Sequence, residues 1–279
     1  MPRGIPRSGF RRTKNRMIAM QGKTVDSFAP MPESRFSINQ RFGFVADMVK
    51  MLAAGHQASV IVSGPGGLGK TFNVIKALNS AGMKDISSLA EFEIGSNINL
   101  KKSFRVIKGY STPKGLYRSL YENRESTIVF DDCDSVLKDP TSLSLLKGAL
   151  DSYEKRIISW HAEVRGEDDL PQSFEFKGRV VFISNLPCNA LDQAIISRSL
   201  AVDLSMTNQQ KVDRMRWLLD QSDFMPDFTA RSKNEAIDLI ESIKDKAKEL
   251  TLRTLVQATN IRANGGANWK DLAEYAICG

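Results

Sequence analysis

The sequence predicts an α/β protein in which a doubly wound parallel sheet is followed by a small α-helical region. A glycine-rich segment fits G-x-x-x-x-G-K-[ST] directly after the apolar run 60–62. Apolar runs of strand length then alternate with segments of helical periodicity, and two of these runs end in polar side chains, at 131–132 and at 185. Such alternation is typical of a parallel sheet, which binds ligands at the carboxyl ends of its strands.

The composition excludes several classes of protein. Three widely spaced cysteines without a C-x-x-C pair, and only two histidines, argue against a disulfide framework, a zinc site and metal–histidine chemistry. No run approaches the roughly 18 apolar residues of a membrane span, and the N-terminus lacks the apolar segment of a signal peptide. We therefore expect a soluble protein without a membrane partner, located in the cytoplasm, or in the host cytoplasm if the chain is viral.

The net charge of +7 is concentrated at the N-terminus. Seven basic residues precede the first acidic residue, Asp26, and prolines and glycines are interleaved with the first six: Arg3, Arg7, Arg11, Arg12, Lys14 and Arg16. This pattern predicts a basic flexible tail over 1–34 that could follow a DNA backbone by counterion release. The alternative is a solvated tail without a partner.

The glycine-rich segment is a phosphate-binding loop between the strand at 60–62 and a helix predicted over 72–78. Its glycines let backbone N–H groups turn toward phosphates, Lys70 neutralises phosphate oxygens, and the Thr71 hydroxyl ligates magnesium. The alternative is a glycine-rich turn that happens to end in Lys-Thr. The predicted nucleotide-binding residues are Gly64, Pro65, Gly66, Gly67, Leu68, Gly69, Lys70, Thr71 and Phe72.

The elements around this loop follow from their patterns. Apolar residues at helical spacing predict a helix over 41–54, and later runs predict a strand over 103–107, a helix over 113–122 and a strand over 127–130. That last strand ends in Asp131 and Asp132, 60 residues after Thr71. There Asp131 can hold magnesium, while Asp132 orients or deprotonates the attacking water. An exposed turn is the alternative.

A further apolar strand, 179–183, ends at Ser184 and Asn185. Asn185 is placed to hydrogen-bond the attacking water or the γ-phosphate, although an Asn before Leu186-Pro187 is also an ordinary turn former. Beyond about 207 the strand patterns disappear. Helices are predicted over 209–219, 233–250, 252–262 and 269–276, the second opening with a capping box of Ser232 and Glu235.

With these motifs in this order, the chain resembles the AAA+ ATPase family over roughly 38–265, in the compact form of stand-alone phage ATPases. The resemblance implies ATP and Mg²⁺ as cofactors, a nucleotide-binding core over 35–206 and a helical lid domain over 207–279. It identifies Asn185 as sensor 1, Arg198 as an arginine finger acting on a neighbouring subunit and Arg253 as sensor 2, with Asp132 also catalytic. A homo-oligomer, as a hexameric ring or a spiral, follows from a finger that acts in trans. Either arginine could instead be a surface residue.

One departure from the family pattern and two further features bear on the substrate. Asp132 stands where many relatives carry Glu, a variation also found in viral superfamily 3 helicases, which grip DNA with a hairpin in a central channel. Here 156–161 and 173–177 have hairpin character, so that Trp160, His161 and Arg165 could face nucleic acid; an edge hairpin that completes the core is the alternative. Tyr110 resembles the aromatic pore loop of protein-unfolding relatives, or it packs on the helix that follows.

Three functions remain open from the sequence. The leading hypothesis is an ATPase directed to DNA, as a replication-associated motor, helicase or helicase loader. The second is a protein-remodelling chaperone that acts on a protein partner. The third is an assembly factor: ATP binding drives its assembly into a filament or ring on DNA, and slow hydrolysis reverses that assembly.

Overall fold

The computed structural model describes residues 34–89, 98–161, 170–221 and 223–279. The predicted basic tail, apart from Ser34, lies outside the described residues. So does Arg165, which was predicted between the two strands of the hairpin.

The described part of the chain forms one parallel sheet. Its strands are β1 (Ser59–Ser63), β2 (Lys84–Asp85), β3 (Ser103–Lys108), β4 (Thr127–Asp131), β7 (Arg179–Ser184) and β8 (Leu200–Asp203). Their spatial order is β2-β3-β4-β7-β1-β8. The predicted α/β class and parallel sheet are confirmed. The predicted strands 103–107 and 127–130 are each extended by one residue.

Strand β7 lies between β1 and β4, although it follows both in the chain. Its register pairs Ser184 with Ser63 on one side and Ile183 with Asp131 on the other. The residues that follow β1, β4 and β7 therefore meet at one edge of the sheet.

Helices cover both faces of the sheet. Alternate residues of β1 enter different hydrophobic clusters: Ile61 faces one, and Val60 and Val62 face the other. This is the consequence of the two-residue period of a strand. The helices on the Val60 side are α1 (Ile38–Ala54) and α2 (Lys70–Ser80), and those on the Ile61 side are α3 (Pro113–Glu122), α4 (Pro140–Ala149) and α5 (Gln193–Ile196).

The predicted hairpin is present as the antiparallel pair β5 (Ile157–Ser159) and β6 (Ser173–Glu175). Ile158 and Phe174 are buried in the cluster on the Ile61 side. Trp160 is half-buried against this cluster, with its ring 5.9 Å from that of Tyr117. For Trp160 the geometry favours the alternative of a hairpin that completes the core, while His161 is exposed.

The C-terminal part is helical and has a hydrophobic cluster of its own. Its helices are α6 (Asn208–Leu219), α7 (Ala230–Ile243), α8 (Leu252–Asn264) and α9 (Trp269–Cys278). Within the described ranges, no helix combines the length and the apolar character needed to cross a bilayer.

The predicted start and end of α7 were wrong. Thr229 is the N-cap, and its side chain accepts from the Ser232 N–H at 3.2 Å. Glu235 does not close a capping box, because its carboxylate accepts from Arg231 at 2.7 Å and from Arg262. The helix ends at Ile243 rather than at Leu250.

Arg214 of α6 connects the C-terminal helices to α1. Its side chain is 2% exposed, and its guanidinium lies over the rings of Phe42 at 3.9 Å and Trp217 at 4.6 Å. It also donates to the Asn39 side-chain oxygen at 2.9 Å. Burial lowers the pKa of Arg214 to about 10.

We predict that Arg214→Ala lowers the free energy of unfolding by about 2–4 kcal/mol, because it removes a buried side chain together with its ring contacts. Urea unfolding followed by circular dichroism measures this change. Arg231→Ala, in a side chain that is 80% exposed, is the matched control and should have little effect. Equal unfolding midpoints for the two variants would contradict the prediction.

Candidate functional site

The loop predicted to bind phosphates runs from the end of β1 to the start of α2 and depends on glycine at two places. Gly64 has φ +143°, and a Cβ there would lie 3.0 Å from the Leu204 backbone. Gly67 has φ +71°, and its Cβ would lie 2.9 Å from the Thr251 side chain. A side chain at either position would be strained and crowded, so glycine is required for this path.

Lys70 is buried against the loop that precedes it, and only 5% of the residue is exposed. Its ammonium donates to the Gly64 carbonyl at 2.6 Å, the Pro65 carbonyl at 2.8 Å and the Asn185 side-chain oxygen at 2.7 Å. All three of its N–H donors are therefore used. Burial lowers the pKa of Lys70 to about 8, and the nearby charges of Asp132, Asp134 and Asp131 oppose this shift.

The predicted metal ligands lie together. The Thr71 hydroxyl donates to Asp131 Oδ1 at 2.8 Å, and Asp131 is buried at the end of β4. A hydroxyl and a carboxylate are hard oxygen donors that suit Mg²⁺, which is commonly held by one or two carboxylates together with phosphates and water. No group of three or more His, Cys, Asp or Glu side chains in the described ranges is arranged for a metal ion. The donor set therefore fits a magnesium ion shared with phosphates.

Asn185 connects Lys70 to Asp132. Its side-chain oxygen accepts from Lys70, and its side-chain nitrogen donates to Asp132 Oδ1 at 2.8 Å. Asp132 has φ +56°, in the left-handed region where non-glycine residues are uncommon. Its N–H donates to the Ile183 carbonyl at 3.1 Å, which holds this turn against β7. The second acid and the Asn predicted for the site therefore form one hydrogen-bonded chain with the lysine.

Two contacts at the site were not predicted from the sequence. The Ser184 hydroxyl donates to Asp134 Oδ1 at 2.6 Å. Asp134 is a third acid whose charge acts on Lys70. Lys108 Nζ lies 3.1 Å from Asp131 Oδ2. The signal for Asp134 was the run of acids at 131, 132 and 134. Lys108 directly follows the predicted strand 103–107, but no sequence signal indicated that it lies beside Asp131.

The other predicted nucleotide-binding residues have mixed environments. Leu68 is buried, whereas the ring of Phe72 is largely exposed on α2. Lys76 lies over the Phe72 ring at 5.6 Å.

Arg198 does not lie at this edge of the sheet within its own chain. Its carbonyl accepts from the Ser59 hydroxyl at 3.3 Å, at the first residue of β1, whereas the phosphate-binding loop follows the last residue of that strand. Arg198 lines a cavity of about 590 Å³ with three other cationic side chains, those of Arg156, Lys177 and Arg179. The structure therefore separates Arg198 from the other predicted site residues.

Arg253 lies in the first turn of α8 and is exposed. The preceding residue, Leu252, donates its N–H to the Gly67 carbonyl at 2.8 Å. The start of α8 thus contacts the phosphate-binding loop. Tyr110 is 82% exposed, so it does not pack on α3 as one of the sequence alternatives had it.

The chain is similar to a protein of a bacterial virus. It is 30% identical over 253 residues to the "Uncharacterized 36.7 kDa protein in nrdC-mobD intergenic region" of Enterobacteria phage T4, and the match covers 85% of this chain and 73% of that protein. No protein-family model matches the chain. A solved structure of C. elegans PCH-2 aligns with 86% of this chain and 67% of its own, at 13% identity and a TM-score of 0.44. A similarity of that size does not establish a shared activity.

The lowered pKa of Lys70 predicts how nucleotide binding depends on pH. The free site loses the ammonium charge as the pH rises through about 8, whereas bound phosphates favour the charged form and raise the pKa. Nucleotide binding should therefore take up protons near pH 8, and the apparent affinity should fall as the pH rises further. Calorimetric titration with ATP in two buffers of different ionisation enthalpy measures the uptake. Proton release at pH 8, or an affinity that does not change from pH 7 to about 9.5, would contradict this prediction.

Proposed function

Because this chain belongs to the protein family of the phage T4 36.7 kDa protein, whose name states no activity, we propose a function from the geometry of its own site. The protein binds ATP with Mg²⁺ and hydrolyses it, as an AAA+ ATPase. The observation that carries this proposal is the meeting of Lys70, Thr71, Asp131, Asp132 and Asn185 at the carboxyl edge of one parallel sheet.

The loop and Lys70 bind the phosphates. The ammonium leaves the carbonyls of Gly64 and Pro65, which it now contacts, for the phosphate oxygens. These oxygens carry a full charge, so the exchange favours the protonated lysine. Thr71 and Asp131 hold the magnesium ion, which when bound offsets charge on the transferring phosphoryl group.

Asp132 and Asn185 orient the attacking water. The amide of Asn185 fixes the Asp132 carboxylate at 2.8 Å, and the carboxylate accepts a proton from the water as it attacks. The Asp132 side chain is one methylene shorter than that of a glutamate, so its carboxylate lies closer to the backbone. We therefore expect hydrolysis to be slow compared with that of strong motors.

The proposed assembly is a homo-oligomer, as a hexameric ring or a spiral. It is supported by the distance of Arg198 from the loop of its own chain, because the full length of β1 separates them. In the oligomer Arg198 stabilises charge on the γ-phosphate bound by a neighbour, as an arginine finger does. Arg253, at the start of α8, contacts the same phosphate from within the chain, and residues 207–279 act as the lid over a core of residues 35–206.

The proposed substrate is DNA, for a replication-associated motor, helicase or loader. It is supported by the net charge of +7 and by the basic run before Asp26, because cationic segments bind nucleic acid by releasing counterions. A protein-remodelling role is the second candidate, and the exposure of Tyr110 favours it. An assembly factor with slow hydrolysis is the third, and Asp132 favours it.

Steady-state hydrolysis tests the ATPase activity. We expect turnover by the wild-type protein and none by Lys70→Ala, which loses the phosphate contact. Asp132→Asn should still bind ATP. Its rate of hydrolysis should be reduced by about 10²–10⁴-fold, as expected when a general base is lost. Asp245→Asn, in an exposed carboxylate far along the chain, is the matched control. Turnover by Lys70→Ala equal to that of the wild type would refute the proposed site.

The same assay with single-stranded and duplex DNA, at low and moderate salt, tests the substrate. Stimulation that falls with salt supports the DNA role. A rate indifferent to DNA favours the protein partner, and ATP binding without turnover favours the assembly factor.

Mixing two inactive variants tests the action of Arg198 in trans. Lys70→Ala keeps Arg198 and Arg198→Ala keeps the loop, so mixed oligomers contain some complete sites. In an equimolar mixture about one quarter of the head-to-tail interfaces should be complete. Recovery toward this fraction of the wild-type rate is expected, whereas a mixture as inactive as its components would contradict the assignment of Arg198.

A further inference from the structure

The segment that carries the exposed Tyr110 begins at the candidate magnesium site. Lys108 is the last residue of β3, and its register partner in the parallel strand β4 is Asp131. Partners in neighbouring strands project to the same face of a sheet. The Lys108 ammonium accordingly lies 3.1 Å from Asp131 Oδ2, while Thr71 donates to Oδ1 of the same carboxylate.

The two members of this ion pair differ in their access to water. The Asp131 side chain is 5% exposed and that of Lys108 is 67% exposed. A buried carboxylate needs a compensating charge, whereas an exposed ammonium can return to water with little loss. A competing cation therefore displaces Lys108 rather than Asp131.

We propose that Lys108 is a positioning residue of the nucleotide site: its ammonium competes with the divalent cation for Asp131 and so sets the Mg²⁺ concentration at which the site takes up nucleotide. This inference rests on the proposed function, since it assigns Mg²⁺ to Thr71 and Asp131. A cation held by Asp131 lies within a few ångströms of the Lys108 ammonium, where like charges repel. Binding of the metal ion and formation of the ion pair consequently oppose each other, and the opposition is reciprocal.

The same competition reaches Tyr110. Beyond Lys108, Gly109 has φ +91°, and the chain is held again at Ser111, whose N–H donates to the Ser135 hydroxyl at 3.2 Å. The Ser135 hydroxyl donates in turn to the Ser111 carbonyl at 3.3 Å. The exposed Tyr110 thus lies between two attachments, one at Asp131 and one at Ser135. Loading with Mg²⁺ and nucleotide releases the Lys108 side chain, while its backbone stays in β3, and so loosens residues 109–110 beyond the end of the strand.

Titration with Mg²⁺ at a fixed concentration of a fluorescent ATP analogue, followed by anisotropy, tests the competition in the full chain. Lys108→Met removes the charge and keeps the aliphatic stem, so the half-saturating Mg²⁺ concentration should fall by roughly five- to tenfold, the usual scale of such coupling. Lys108→Arg keeps the charge and should titrate close to the wild type. Lys102→Met, in an exposed lysine just before β3, is the matched control and should leave the midpoint unchanged.

Suppose that the wild type binds the analogue in a Mg²⁺-dependent way and that Lys108→Met needs as much Mg²⁺ or more. This result would overturn the inference about Lys108 and leave the proposed function intact. Failure of the wild type to bind the analogue at any Mg²⁺ concentration would overturn the proposed function and this inference with it.

Hydrogen–deuterium exchange of the wild-type protein tests the link to Tyr110. This measurement does not depend on how well Lys108→Met folds. Mg²⁺ with ATP should speed exchange at 109–111 relative to the protein alone. Unchanged exchange in this segment would exclude the link to Tyr110.

Discussion

The arrangement of the site depends on one buried ammonium. Lys70 is almost without access to water, and a buried charge is tolerated only when its hydrogen bonds are satisfied. The carbonyls of Gly64 and Pro65 must therefore face inward, which fixes the path of the loop. The third acceptor, Asn185, directly follows β7, so the same ammonium also requires β7 beside β1.

The sequence predicts the elements better than their contacts. Strand and helix periods, and the glycine pattern of the loop, are local and could be read along the chain, which is why α3 was predicted with its observed ends. The pairing of Lys108 with Asp131 depends on strand register, and the burial of Arg214 depends on how α6 meets α1. Neither has a local pattern. The start of α7 was predicted wrongly because Thr229 and Ser232 are both good N-cap residues. In the structure Thr229 is the N-cap, since its hydroxyl accepts from the Ser232 N–H.

The order of the strands separates two sets of charges. Acids collect where β4 ends, at Asp131, Asp132 and Asp134, around the ammonium of Lys70. Cations collect at the opposite edge, where Arg156, Arg179 and Arg198 line one cavity. Burial lowers the pKa of Arg156, and the charge of Arg179 lowers it further, so these arginines destabilise one another in the free chain. An anion brought to that cavity by another molecule would relieve this repulsion.

The contact of α8 with the loop after β1 connects the proposed phosphate site to the C-terminal helices. Gly67 serves two purposes at once, because its φ of +71° turns the loop and its lack of a side chain leaves room for Thr251. Its carbonyl accepts from the Leu252 N–H at 2.8 Å, so a change in the direction of this peptide is transmitted directly to the first turn of α8. That helix packs through Leu255 and Ala258 into the C-terminal hydrophobic cluster. Under the proposed function, a rearrangement of the loop around bound phosphates would therefore displace α8 together with the helices packed on it, and Arg253 would move with them.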